Sequence, residues 1–108
     1  MGHRRKAREY ALQGLYMHEI SAAPVEKLVG LEWVDDPIPD PIREFAVTLI
    51  KGSIDHIKTI DPFIVKYSKN WKFERLSSVD KSILRISIFA MLFLKDIPVV
   101  VTINEGIE

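Results

Sequence analysis

The residues best suited to binding chemistry form a basic cluster at the start of the chain. The cluster consists of Arg4, Arg5, Lys6 and Arg8, and no acidic residue stands among the first eight. Cations near a helix N-terminus oppose the macrodipole, each by about 0.3 kcal/mol or more. Since the chain has 15 basic and 15 acidic residues in all, the part after the cluster is net acidic. A basic patch on an acidic body predicts a local site for a polyanion, most simply nucleic acid.

Groups that could support catalysis or hold a metal form no recognisable pattern. The three histidines, His3, His18 and His56, share no ligand spacing, and cysteine is absent, so no zinc or thiolate site is expected. The sequence has no phosphate loop, dinucleotide fingerprint or nucleophile elbow. Three aspartates lie in the Pro-rich stretch at 35–41, a loop that would position carboxylates poorly. We therefore expect no enzyme activity, no metal and no cofactor.

Length and composition indicate one domain over residues 1–108. A chain of 108 residues with 47% hydrophobic content can bury a core without disulfides. The lack of cysteine fits a reducing compartment, and no apolar segment of a signal peptide follows the basic start. The longest uncharged apolar run, 86–94, is too short to span a bilayer. These features predict a cytoplasmic protein that does not enter a membrane.

Hydrophobic spacing and capping signals predict an all-α bundle of five to six helices. The first helix ends near Ser21, and its apolar stripe consists of Ala7, Tyr10, Ala11, Leu15 and Ile20. The clearest amphipathic helix spans about 41–58, with Asp40 as N-cap and Pro41 at its first position. Gly52 lies inside it. Because a mid-helix glycine costs about 1 kcal/mol relative to alanine, we expect another helix to cross closely there.

Three further helices are predicted in the second half of the chain. Asp61-Pro62 repeats the acid–proline signature and predicts that a shorter helix starts there. Ser77 predicts the N-cap of a central, mostly buried helix. The β-branched run at 99–103 is interpreted as a helix, because no other segment offers it a strand partner.

Four blocks of the sequence resemble a known family. They are RRKAREYALQGLY at 4–16, Gly52 and His56 followed by Ile60-Asp61, RLSSVDKSILRI at 75–86, and IPVVVTINEGIE at 97–108. Their order and spacing resemble the NusB family of bacterial transcription antitermination factors. That family continues past the last block with further helices. The resemblance therefore implies that the last helices of the fold are missing and that the domain is incomplete at its C-terminus.

The resemblance also implies an RNA-binding function and a set of contacts. Family members bind boxA-type single-stranded RNA with NusE, a small-subunit ribosomal protein. The RNA polymerase antitermination complex then reads through terminators, notably in ribosomal RNA operons. Carried over to this chain, the RNA-binding residues are Arg4, Arg5, Lys6, Arg8, Gln13, Tyr16, Lys81 and Arg85. The partner-binding residues are Glu74 and Asp80, and the apolar face left uncovered would favour a homo-oligomer.

Each of these assignments competes with an ordinary structural role. The basic cluster alone would equally suit a solvated terminus, Tyr16 suits a core aromatic, and Gln13 suits plain surface. Asp80 fits a capping box at the start of the central helix. Lys81 and Arg85, four residues apart, are predicted on an exposed strip of that helix, where they would add a phosphate contact beside the first helix.

Two other functions stay open at this point. NusB-like domains resemble the N-terminal part of some ribosomal RNA cytosine methyltransferases, which would make the chain an RNA-targeting domain of a longer enzyme. The other alternative is a helical interaction module that binds no RNA. The leading hypothesis is a non-enzymatic, RNA-binding antitermination factor.

Overall fold

The computed structural model describes residues 2–67 and 72–94, and helices make up most of this part of the chain. The α-helices are α1 Gly2–Ser21, α2 Val25–Leu28, α3 Asp40–Asp55, α4 Ile57–Tyr67 and α5 Ser78–Phe89. A 3-10 turn at Phe73–Arg75 precedes α5, and a π-helical turn at Ala90–Leu94 continues it. The predicted all-α class is confirmed. None of the described helices is both long and apolar enough to cross a membrane.

The core forms where α1 packs against both α3 and α5. From α1 it takes Ala7, Ala11 and Leu15, which are at most 3% exposed. Small alanines leave room for the neighbouring helices to approach the first turns of α1. The predicted place of Ile20 in this stripe is wrong, because its side chain is 56% exposed. A residue five positions after Leu15 is rotated about 140° around the helix and points away from the core.

Gly52 of α3 and Phe89 of α5 mark a close approach of these two helices. A Cβ atom on Gly52 would overlap the ring of Phe89 at its Cζ, Cε1 and Cε2 atoms. The ring is buried and occupies the space that any other residue at position 52 would need. The predicted close helix crossing at Gly52 is therefore confirmed.

The helix predicted over 41–58 is in fact two helices. His56 interrupts the helical path between α3 and α4 with φ −107° and ψ 18°. Its ring stacks on Phe93, with ring centroids 4.1 Å apart, so the histidine has a structural role at the bend. At the other end, Pro39 is the N-cap and Asp40 the first helical residue. The predicted cap is thus one residue late, and Asp40 contributes as a first-turn acid that favours the macrodipole.

Asp61-Pro62 lies inside α4, so the prediction that a helix starts there is wrong. Proline removes one backbone donor, but the carbonyl four residues earlier belongs to an exposed residue and can bind water. Ile60 and Ile64, about one turn apart, are both buried and hold this part of α4 on the core. The Asp61 carboxylate binds Arg85 instead of capping a helix.

The predicted start of the central helix is confirmed. The Ser77 hydroxyl accepts a hydrogen bond from the backbone N–H of Asp80, at 3.0 Å. The helix is central because α5 contacts α1, α3 and α4. Val79 of α5 and Phe93 of the π-helical turn are nevertheless exposed. The helix predicted at 99–103 lies outside the described residues.

Candidate nucleic-acid interface

The basic cluster lies on the first turns of α1, and we call it the basic turn: Arg4, Arg5, Lys6 and Arg8. The packing of α1 on the core holds the backbone of the basic turn in place, because Ala7 and Ala11 of the same helix are completely buried. The side chain of Arg5 is 86% exposed, and the first turn of α1 contains no acid. The fold thus holds positive charge at the surface on a rigid helix.

Two arginines of the basic turn lie over an aromatic ring of α3. The Arg4 Cζ atom is 4.8 Å from the centroid of the Phe45 ring, and the Arg8 Cζ atom is 5.9 Å from it. Cation–π contacts of this kind contribute about 0.5–1 kcal/mol at exposed sites. Phe45 therefore helps to orient both guanidinium groups, a role that the sequence analysis did not foresee.

Glu9 is an acid beside the basic turn and is not among the residues predicted from the sequence. Its carboxylate lies 4.0 Å from Arg5 Nε and 3.6 Å from Lys6 Nζ. The spacing of three and four residues along α1 is a sequence signal that could have revealed both pairs. Exposed pairs contribute only about 0–1 kcal/mol, so a phosphate group can displace Glu9 at little cost.

Gln13 and Tyr16 lie further along α1. The Tyr16 side chain is 38% exposed, so it is neither a core aromatic nor fully solvated. Arg5 and Tyr16 are about three helical turns apart and share one face of α1. The Gln13 Oε1 atom accepts a hydrogen bond of 2.8 Å from the indole of Trp33, which makes its amide nitrogen, a donor, the atom offered to a ligand.

The prediction that Lys81 and Arg85 lie on an exposed strip is wrong. Their side chains are only 17% and 7% exposed. Arg85 Nε and Nη2 donate to the two carboxylate oxygens of Asp61, both at 2.9 Å. Arg85 Nη1 donates to Glu19 Oε1 at 2.6 Å, and Lys81 Nζ lies 3.8 Å from the other oxygen of Glu19. We call these four residues the Arg85 cluster.

Electrostatics favour the ionised forms of Glu19 and Arg85. The hydrogen bond from Arg85 lowers the pKa of Glu19, against the opposing effect of burial. Burial disfavours the charged form of Arg85, but hydrogen bonds to Asp61 and Glu19 outweigh it and raise the arginine pKa. The cluster joins α1, α4 and α5 through charge-assisted hydrogen bonds, which are about twice as strong as neutral ones.

The structure does not bring the Arg85 cluster to the basic turn. Glu19 is eleven residues after Arg8 on α1, which corresponds to about 16 Å along the helix axis. The predicted partner-binding residues belong to the same distant end. Glu74 is exposed in the 3-10 turn, and Asp80 is half-buried in the first turn of α5.

No set of three or more acidic, histidine or cysteine side chains within residues 2–67 and 72–94 is arranged to hold a metal ion. Six of the predicted RNA-binding residues lie on α1, from the basic turn to Gln13 and Tyr16. Electrostatic attraction and aromatic stacking are the interactions that such a surface offers. These features define a small all-helical protein with a basic surface on a rigid helix.

Comparison with known proteins identifies the family. The NusB family model matches residues 5–108, and the chain belongs to the NusB family. The transcription antitermination protein NusB of Thermodesulfovibrio yellowstonii is 41% identical over 116 residues, covering 97% of this chain and 76% of that protein. The protein of the same name from Geobacter sulfurreducens is 44% identical over 110 residues, covering 100% and 79%.

Solved structures agree with this assignment. T. maritima NusB superposes with a TM-score of 0.78 at 34% identity, covering 95% of this chain and 72% of that one. A chain from the crystal structure of a plectonemic RNA supercoil superposes with a TM-score of 0.75, covering 98% and 78%. Its identity is 24%, so it shows the fold alone. The predicted resemblance to the NusB family is confirmed.

Proposed function

We propose that this chain is an RNA-binding transcription antitermination factor. It binds boxA-type single-stranded RNA through the basic turn, together with a NusE-type ribosomal protein. The assembly helps RNA polymerase read through terminators in the bacterial cytoplasm, notably in ribosomal RNA operons. The observation that carries the proposal is the basic turn itself, a group of cations held on a rigid helix at the end where they oppose the macrodipole.

The RNA path follows the exposed face of α1. Phosphates bind the basic turn, a base stacks on the half-exposed ring of Tyr16, and the amide nitrogen of Gln13 donates to a base edge or phosphate. Single-stranded RNA suits this surface because its unstacked bases are accessible to side chains. No catalytic step is required, since the factor acts by bringing RNA and partner together near the polymerase.

The predicted site residues outside α1 have different roles in this proposal. Lys81, which keeps 17% of its side chain exposed, adds a peripheral phosphate contact where the path ends. Arg85 holds α1 in place through the Arg85 cluster and acts on RNA binding indirectly. Glu74 and Asp80 repel phosphates and therefore suit a protein partner better than RNA.

Fluorescence anisotropy with boxA-type RNA and a scrambled RNA of equal length tests the proposal. Each RNA is titrated with the chain alone and with an equimolar NusE-type protein. We expect tighter binding to the boxA-type RNA and a further gain when the partner is present. Equal affinity for both RNAs would contradict the selection of boxA-type RNA. Binding of neither RNA, with tight partner binding retained, would instead identify the chain as a helical interaction module.

A further inference from the structure

A groove lies between the start of α1 and the start of α3, next to the basic turn. Its volume is about 380 Å³, and it is lined by His3, Arg4, Pro41, Glu44, Phe45 and Thr48. Small-ligand sites have volumes of about 300–1,000 Å³, so this groove fits one nucleotide-sized group. Apart from Arg4, none of its residues belongs to the predicted RNA-binding set.

The groove combines a flat cationic surface with a hydrogen-bond acceptor. The guanidinium of Arg4 lies over the Phe45 ring, with Cζ 4.8 Å from the ring centroid. A guanidinium held in this way offers a plane on which an unpaired base can stack. Glu44 also lines the groove and is exposed. Its ionised carboxylate can only accept hydrogen bonds.

We propose that this groove is a nucleobase subsite of the RNA-binding surface. The base stacks on Arg4, and its exocyclic amino group donates a hydrogen bond to the Glu44 carboxylate. Cytosine, adenine and guanine carry such a group. Uracil has only its N3–H, which stands between two carbonyl oxygens that repel a carboxylate, so the subsite discriminates against uracil. This inference rests on the proposed function, because the RNA that occupies the groove is the strand held by the basic turn.

Two observations identify the occupant of the groove. They are the continuity of the groove with the basic turn and the charge of Glu44. Arg4 belongs to both the groove and the basic turn, so a strand bound at one reaches the other without a gap. A carboxylate beside a phosphate path opposes RNA binding unless an N–H donor meets it. Glu44 therefore selects a flat base whose N–H donor a carboxylate can reach without facing carbonyl oxygens on both sides, which describes an amino-bearing base.

Base-by-base variation of the RNA tests the selection at Glu44. Single abasic substitutions along boxA-type RNA, measured with the unaltered chain and with Arg4→Lys, first locate the nucleotide whose base contributes to binding only when Arg4 is present. Anisotropy is then measured with each of the four bases at that position. We expect uracil to bind about fivefold more weakly than cytosine, the value of one hydrogen bond. Glu44→Gln removes this preference, since an amide both donates and accepts, whereas Glu26→Gln on α2 retains it.

A charge-conserving change tests the stacking on Arg4. Arg4→Lys keeps the positive charge and loses the guanidinium plane. We expect the variant to bind the intact RNA about fivefold more weakly than the unaltered chain does. Both chains should bind the abasic RNA with the same affinity, and the salt dependence should not change. Arg75→Lys, at an exposed position in the 3-10 turn, is the control and leaves both affinities unchanged.

The outcomes separate the two proposals. If no boxA-type RNA binds in a salt-dependent way, the proposed function fails. If RNA binds but all four bases bind equally at every position, the function stands and the subsite is overturned. If Glu44→Gln strengthens binding equally for all four bases, Glu44 acts only as a repelling charge, which also overturns the subsite.

Discussion

Arg85 and Asp61 form a bidentate ion pair, with both donor–acceptor distances at 2.9 Å. The pair connects α5 to α4, and the same guanidinium donates to Glu19 of α1. Three helices are therefore joined by one cation whose side chain is 7% exposed. Removing one partner of a buried pair leaves the other charge unpaired, at a cost of about 3–5 kcal/mol.

Arg85→Met should lower the free energy of unfolding by about 3 kcal/mol, the lower end of that range. The lower end applies because Asp61 and Glu19 keep about a quarter of their side chains exposed and regain some solvation. Urea unfolding followed by circular dichroism measures the change. Arg75→Met, at an exposed position in the 3-10 turn, should change stability by less than about 0.5 kcal/mol. Equal losses in both variants would contradict the role of the cluster.

Stability should fall at acidic pH partly through Glu19. Its pKa in the folded chain lies below the ordinary value of 4.5, because Arg85 donates a hydrogen bond to the carboxylate. The unfolded chain then binds the proton more tightly, so this contribution is complete above pH 4.5 and is lost as the pH falls through the folded pKa. Urea unfolding from neutral pH to about pH 3 should therefore show a shallower decline for Glu19→Gln. A decline as steep as that of Glu26→Gln would refute the assignment.

Gly52→Ala should destabilise the fold although alanine favours helix formation. The new Cβ atom would overlap the ring of Phe89, and overpacking of a core costs about 1–3 kcal/mol. Thermal or urea unfolding measures this loss, and adding Phe89→Leu should restore part of it. Gly30→Ala is the control, because its Cβ atom would lie 3.4 Å from the flexible side chain of Glu32. A neutral Gly52→Ala would show that α3 and α5 do not approach so closely.

Replacing all four residues of the basic turn by alanine should abolish most of the salt dependence of RNA binding. Each phosphate contact on a single strand contributes about −0.7 to the slope of log affinity against log salt, so the slope should become less negative by about 3. The helical circular dichroism spectrum should persist, because alanine favours helices and the lost charges opposed the macrodipole. Lys27→Ala with Lys58→Ala, at exposed positions on α2 and α4, serves as control. An unchanged slope would refute the interface.

Tyr16→Ala should weaken RNA binding by about 1–3 kcal/mol, the value of stacking one base on an aromatic ring. Its effect on unfolding should be small, because the side chain is already 38% exposed. Anisotropy and urea unfolding of the same sample separate the two effects. Tyr67→Ala removes a tyrosine that is 58% exposed on α4 and should leave RNA affinity unchanged. Similar RNA affinities for the two variants would show that Tyr16 does not stack a base.

The sequence alone determined the features that depend on short-range order. The helical period predicted the all-α class, Ser77 predicted the start of α5, and Gly52 predicted a close crossing. The basic turn was visible as a cluster of neighbouring charges. Each of these signals lies within a few residues along the chain, which is the distance over which helix geometry and capping act.

The tertiary structure decided which helices meet and what their side chains then contact. Arg85 is separated from Asp61 by 24 residues and from Glu19 by 66, so the helical period of α5 alone could not show that its polar strip is buried against two acids. The groove beside Arg4 likewise exists only because α3 brings Phe45 and Glu44 to the start of α1. Periodicity fixes the buried face of a helix, but the partner that covers this face is selected by packing in three dimensions.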